Sequence, residues 1–386
     1  MIPYGRQQIS QEDIDAVVQV LQSDWLTQGP CIEKFERAVA DYCGASYAVA
    51  TCNATAALHL GCLALGVDDQ SIGWTSPNTF VASANCLRYC EAEVDFVDID
   101  ARTWNLSVEA LDLKLEQACK NGCLPKVIIP VHFSGQPCEM ERIRELSNRY
   151  GISIMEDAAH AIGATYNGAR VGSCKYSELT VFSFHPVKII TTGEGGILLT
   201  NRRDLYEKLL LLRSHGITRQ LDQMTQPAHG GWYYQQVELG YNYRITDIQA
   251  ALGISQLERI EQFVERRNQL ALRYEQLLRD LPLTLPYTQI NGRSSWHLYV
   301  VRLQLQHVRL SHREVFEQLR ASNIGVHLHY IPVHTQPYYA AQGFKLGDFP
   351  EAESYYSEAI TLPMFPTMTD AQQDYVVSVL QDILQR

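Results

Sequence analysis

The feature that most restricts what this chain can fold into is a rhythm. Short apolar runs at 47–51, 72–76, 94–98, 126–133, 152–156, 180–184 and 196–200 read as strands, and most are separated by stretches whose apolar residues recur at helical spacing. Strand and helix in alternation predict an α/β fold with a largely parallel sheet. Open sheets of this kind bind ligands in the crevice beyond the carboxyl ends of their strands. Polar groups at those ends therefore carry most of the information about function.

The rhythm changes near residue 246. A Thr-x-x-Gln capping box at Thr246 and Gln249 opens one long helical stretch, TDIQAALGISQLERIEQFVERRNQLALRYEQLL, read as a bridge to a smaller α+β unit with strand candidates at 297–303 and 326–329. The expected division is a large domain with an N-terminal arm over 1–255, and the bridging helix with a small C-terminal domain over 256–386. A chain of 386 residues, 46% hydrophobic and 19% charged, is long enough for both.

A net charge of −11 argues against nucleic acid or an anionic membrane as the main partner. No apolar run reaches the roughly 18 residues of a membrane-spanning helix. The start, MIPYGRQQIS, lacks a basic region followed by an apolar one, so the protein is expected in the cytoplasm. The ten cysteines are scattered without a CxxC or a matching histidine pair. They read as small buried hydrophobes, and no metal is expected.

Four strand ends carry chemistry. In TCNATAALHLGCLALG, Asn53 or Ala54 caps a helix whose first free amides, near Thr55, form a cradle for phosphate; an ordinary cap with nothing bound reads the same way. In ISIMEDAAHAIG an apolar strand delivers Glu156, Asp157 and His160, and a carboxylate placed there must find a cation or a donor. A helix-capping Asp is the plain alternative. In SPNTFVASAN, Phe80 follows a strand and is either a flat face for an aromatic ligand or simple core. In FSFHPVKIITTGEGG, Lys188 stands among Val187, Ile189 and Ile190 in a Gly-rich loop between two strands. A desolvated lysine is a neutral amine able to attack a carbonyl. Phosphate cradle, carboxylate for a ring nitrogen, flat aromatic and nucleophilic lysine together describe the needs of pyridoxal 5′-phosphate.

The same stretches carry a family resemblance over nearly the whole chain. NATAALH, SPNTF, EDAAHAIGA, FSFHPVKIITTGEGG, LGYNYR and HYIPVHTQPYY resemble the DegT/DnrJ/EryC1/StrS sugar aminotransferases, which have the aspartate aminotransferase fold (PLP fold type I). Within that family, PYGRQ, SDWLTQGP, NATAALH, WTSPNTFVASANC and FHPVKIITTGEGG are most similar to the transaminases of pseudaminic acid biosynthesis. The resemblance implies that Lys188 holds the cofactor covalently and shuttles a proton, that Asp157 pairs with the pyridine nitrogen, and that Phe80 stacks on the ring with His160 beside it. It assigns the phosphate to Thr55, the Ala54 amide and Ser183, with Asn242 reaching in from a second subunit of a homodimer whose active sites are shared. His185, His329 and Tyr330 are candidate substrate contacts, and each reads equally as a local structural residue. The implied substrates are L-glutamate and a UDP-linked 4-keto-6-deoxy-N-acetylhexosamine. An aminotransferase for another nucleotide-linked 4-keto sugar remains open, as does a non-catalytic sugar-nucleotide-binding protein on the same fold. A nicotinamide enzyme is disfavoured because no G-x-G-x-x-G follows a strand and opens a helix.

Overall fold

The computed structural model describes residues 1–385. Its centre is a seven-stranded sheet of β1 (Tyr47–Thr51), β2 (Ile72–Thr75), β3 (Glu93–Phe96), β4 (Val127–Ile129), β5 (Ser153–Asp157), β6 (Leu179–Ser183) and β7 (Gly196–Thr200), in the order β1-β7-β6-β5-β4-β2-β3. Only β7 runs against the rest, antiparallel to both β1 and β6. β6 is buried along its whole length and β5 on four of its five residues, as expected of strands covered on both faces. The carboxyl ends of β1, β2, β4, β5 and β6, and the start of β7, therefore meet along one edge. This is the aspartate aminotransferase-like fold expected from the resemblance.

Two segments end sooner than their apolar patterns suggest. The run 126–133 is a strand only over Val127–Ile129, because Pro130 has no amide to give the ladder. The chain nevertheless continues beside β5: Pro130 accepts from the Asp157 amide at 2.9 Å and the His132 amide donates to the Asp157 carbonyl at 3.0 Å. The run 326–329 forms no strand and contributes one bridge, His327 to Thr361. The stretch read as one long helix is two, Asp247–Leu257 and Ile260–Leu278. Arg259 leaves helical geometry between them, and its guanidinium pairs with the buried carboxylate of Asp13 on the N-terminal helix Gln11–Leu21.

Helix Ile260–Leu278 gives Ile260, Phe263 and Val264 to the apolar cluster around Phe35 and Ala161, and Leu270, Tyr274 and Leu278 to a C-terminal cluster with Val301, Ile360 and Leu380. The C-terminal sheet has three antiparallel strands, Leu283–Thr284, Tyr299–Leu303 and Ala359–Leu362. No described helix is long and apolar enough to cross a membrane. The cysteines are less uniform than expected. Six are buried, but Cys119 and Cys123 are exposed, at the end of a charged helix and just beyond it, where no apolar surface covers them.

Candidate active site

Where β1 ends, Asn53 caps helix Ala54–Ala64, its side chain accepting the Ala56 amide at 2.8 Å. The Ala57 amide is also taken, by the Asn53 carbonyl. Among the described residues nothing accepts the amides of Ala54 and Thr55 at the positive end of the helix, as expected of an anion cradle. Gly196 of β7 passes directly beneath: a Cβ there would lie 2.5 Å from the Asn53 carbonyl carbon and 2.6 Å from the Ala54 nitrogen. Gly196 pairs with Ser183, the last residue of β6, which is buried and accepts the His185 amide on Oγ. Ala54, Thr55 and Ser183 thus share one corner. Asn242 is exposed and bridges Ser214, while the neighbouring Tyr243 carbonyl takes the Cys52 amide at 2.8 Å, so this segment flanks the same corner.

β5 sends Glu156 and Asp157 to opposite faces, because successive strand side chains alternate. Glu156 is occupied: Ser177, Thr180 and His132 all donate to it, His132 through Nε2 at 2.7 Å. Since His132 Nδ1 accepts the Cys138 amide, the single imidazole proton lies on Nε2. That network is structural. Asp157, also buried, accepts Ser83 Oγ at 2.6 Å on Oδ2 and the Ala159 amide at 3.0 Å on Oδ1. A carboxylate has room for more donors than two, so Asp157 is more than a local cap.

The loop carrying Lys188 is pinned on both sides. Ile189 and Ile190 are buried, Thr191 Oγ1 and the Thr192 amide donate to the Phe184 carbonyl, and the Lys188 amide donates to the His185 carbonyl. Burial pulls the Lys188 ammonium down to about 8, with Asp157 opposing the shift. Its amine is thus partly neutral near physiological pH. His185 is exposed at the mouth of the loop.

Phe80 is 58% exposed, which removes the simple-core reading. Its ring centroid is 6.2 Å from that of Tyr330, which approaches from the C-terminal part of the chain. His160 is buried, with Nδ1 taking the Ser134 amide at 3.3 Å and Nε2 3.1 Å from Tyr330 Oη. Burial, Lys188 and His329 hold His160 far below the usual histidine range. His329 bonds Thr361 Oγ1 at 2.9 Å and is pushed down to about 3, mainly by burial. The structure therefore brings His329 and Tyr330 to the wall formed by His160 and Phe80.

Three residues of this site escaped the sequence reading. Ser83 lay within SPNTFVASAN, one helical turn past Phe80, and was legible there. Ser134 and His297, whose ring centroid is 4.4 Å from that of His160, carry no local signal. The site fits pyridoxal 5′-phosphate: free helix amides over a glycine, a buried carboxylate with spare acceptor capacity, and a desolvated lysine.

The comparisons agree. The sequence pattern of the DegT/DnrJ/EryC1/StrS aminotransferase family matches residues 7–381. The spore coat polysaccharide biosynthesis protein SpsC of Bacillus subtilis is 37% identical over 386 residues, covering 99% of this chain and 97% of that protein. Helicobacter pylori PseC, an aminotransferase involved in the biosynthesis of pseudoaminic acid, superposes with a TM-score of 0.90 at 28% identity, over 100% of this chain and 99% of that one. The PLP form of the sugar aminotransferase Spr1654 from Streptococcus pneumoniae gives 0.89 at 27%, over 100% and 98%. The chain belongs to the DegT/DnrJ/EryC1/StrS family and is a sugar aminotransferase whose cofactor is pyridoxal 5′-phosphate.

Proposed function

We propose that the enzyme transfers the amino group of L-glutamate to the C4 ketone of a UDP-linked 2-acetamido-2,6-dideoxy-4-hexulose of β-L-arabino configuration, the reaction of EC 2.6.1.92, giving the 4-amino sugar for pseudaminic acid biosynthesis. It acts as a cytoplasmic homodimer with shared sites, in which Asn242, exposed at the edge of its own subunit's corner, reaches across to the partner's phosphate. The observation that carries the reaction is the pairing of a desolvated Lys188 with a buried, incompletely satisfied Asp157. The similarity to PseC supports the choice of sugar.

When bound, pyridoxal phosphate supplies an electron sink for the carbon that loses its proton. The chain's own residues do the rest. The Ala54 and Thr55 amides with the Ser183 hydroxyl would hold its phosphate, and Lys188 Nζ would be the point of attachment. Asp157 would accept a protonated ring nitrogen, and Phe80 and His160 would flank the ring. Lys188 Nζ, as the free amine, would take the proton from the donor's α-carbon and later return one at the sugar C4, acting as base and acid in turn. His185, His329 and Tyr330 line the side from which the sugar enters. The division into 1–255 and 256–386 places the cofactor on the first unit and the Tyr330 wall on the second.

A second reading, an aminotransferase for a different nucleotide-linked 4-keto-6-deoxy sugar, is supported by the 37% identity to a spore coat polysaccharide biosynthesis protein. The test follows cofactor absorbance in glutamate-reduced enzyme after adding the UDP-4-keto sugar as its L-arabino or D-xylo epimer. Return of the lysine-bound spectrum with the L-arabino ketone alone is expected. Return with only the D-xylo epimer moves the enzyme to another 4-amino sugar.

A further inference from the structure

One hydrogen-bond chain at the wall of the site has a direction that its geometry settles. The Ser134 backbone N–H is only a donor, and it reaches His160 Nδ1 at 3.3 Å. That nitrogen must therefore be the unprotonated one, and the proton of the neutral imidazole lies on Nε2. Nε2 is 3.1 Å from Tyr330 Oη. With Nε2–H donating, the phenol oxygen is the acceptor in this contact, and its own hydrogen is turned away from His160. Among the described residues Tyr330 Oη makes no other hydrogen bond. The arrangement is held firmly: Ser134 lies in the left-handed region at φ +60°. Its carbonyl accepts the His297 amide at 2.8 Å. The adjacent Gly135, at φ +92°, leaves room for the His160 carbonyl and the Trp296 nitrogen, which a Cβ would approach to 2.9 and 3.0 Å.

We propose that Tyr330 is a hydrogen-bond donor to an acceptor oxygen of the bound reactants, and that His160 is the positioning residue that aims its hydroxyl hydrogen, with the Ser134 amide fixing the His160 tautomer. The shared chemistry is an sp² or phenolate oxygen, and it has two sources: an oxygen at the reacting end of the sugar, or the ring hydroxyl of the cofactor. Phe80, whose ring centroid is 6.2 Å from that of Tyr330, stands on the same wall. The other charged and titratable groups facing His160 are Lys188, His297 and His329. Burial first, and then Lys188 and His329, lower the His160 pKa, which keeps the ring neutral and the direction of the chain unchanged.

The inference rests on the sugar aminotransferase reading and is tested by affinity as well as rate. Tyr330→Phe, His160→Asn, His160→Gln and the Tyr330→Phe/His160→Asn pair are purified and checked for an unchanged melting temperature. Calorimetry then measures the affinity of each pyridoxamine-phosphate enzyme for the UDP-4-keto sugar, and of each apoenzyme for pyridoxamine phosphate. Tyr330→Phe is expected to weaken one of these roughly tenfold, the loss of one hydrogen bond. A loss confined to the sugar identifies a sugar oxygen, and a loss already present with the cofactor alone identifies the ring hydroxyl. His160→Asn can still accept the Ser134 amide but falls short of Tyr330, so it weakens the same affinity by a smaller factor. His160→Gln carries an amide N–H to about the position of Nε2 and restores it. The double variant is no worse than Tyr330→Phe, because His160 acts through the hydroxyl. Full affinity of Tyr330→Phe for both ligands, or additive losses in the pair, overturns the proposal. Failure of the wild-type enzyme to bind the UDP sugar at all, with cofactor affinities of the variants still ordered as above, retires the substrate assignment and leaves this inference standing.

Discussion

Gly196→Ala is the sharpest probe of the phosphate corner. The added Cβ would stand 2.5 Å from the Asn53 carbonyl carbon and 2.6 Å from both the Asn53 oxygen and the Ala54 nitrogen, where ordinary contact begins at 3.4 Å. Helix and strand must separate by 0.8 to 0.9 Å. Neither yields easily. Gly196 pairs with Thr51 on β1 and Ser183 on β6, and Asn53 is tied to the helix through the Ala56 amide. Overpacking of this kind costs about 1–3 kcal/mol of stability. The displaced atoms belong to the amides that face the anion, so a second loss follows. One hydrogen bond to a charged group is worth about 1.5–3 kcal/mol, or roughly ten- to a hundredfold in affinity. Apoenzyme titrated with pyridoxal 5′-phosphate and, separately, with phosphate-free pyridoxal isolates that loss. The variant should bind the phosphorylated form ten- to a hundredfold more weakly and pyridoxal about as before. An unchanged ratio of the two affinities, with only the melting temperature lowered, would mean that the phosphate is held elsewhere.

Lys188→Ala should abolish the lysine-bound spectrum and slow turnover by roughly 10²–10⁴-fold or more, seen in absorbance and single-turnover rates. The pH dependence follows from the same lysine. Its folded-state value of about 8 lies below the roughly 10.4 of an unfolded chain, so between these values the unfolded chain holds the extra proton and apoenzyme stability rises with pH. Cofactor capture by apoenzyme should rise to a plateau above about pH 8, and Asp157→Asn should shift that midpoint downward by removing the carboxylate that favours the ammonium form; a midpoint indifferent to Asp157 would contradict this. Ser83→Ala strips one donor from Asp157, so kcat should fall about three- to tenfold with KM for glutamate nearly unchanged, read from steady-state kinetics. Ser134→Gly removes left-handed strain and a buried hydroxyl that has no partner among the described residues, and chemical denaturation should show about 1 kcal/mol of added stability after glycine's own entropy cost.

The legible part of this molecule is the part built from strand ends. Asp157 ends β5, the Asn53 cap stands two residues past β1, and Phe80 and Lys188 stand five residues past β2 and β6, so the pattern that marks each strand also marks the stretch just beyond it. What the pattern hides is anything decided by a distant partner. The single long helix expected from residue 246 is broken at Arg259, where the buried Asp13 must be met, 246 residues earlier in the chain. Glu156 and Asp157 look equivalent in a string of letters. Only the neighbours Ser177, Thr180 and His132 show that the first is consumed by structure and the second is not.

Ser134 is the extreme case of that dependence. In sequence it is one serine between Phe133 and Gly135, with an ordinary propensity for turns. In the fold its backbone faces both halves of the site. The amide fixes the proton on His160, near the end of β5, and the carbonyl receives the amides of His297 and Leu298, which lead into the strand Tyr299–Leu303. A non-glycine residue in the left-handed region is retained where surrounding contacts over-determine it. Here those contacts come from segments 26 and more than 160 residues away. Tyr330, itself 170 residues from His160, closes the same circuit. The large-sheet side thus brings Ser134 and His160, the C-terminal side brings His297 and Tyr330, and the backbone of one left-handed serine joins them.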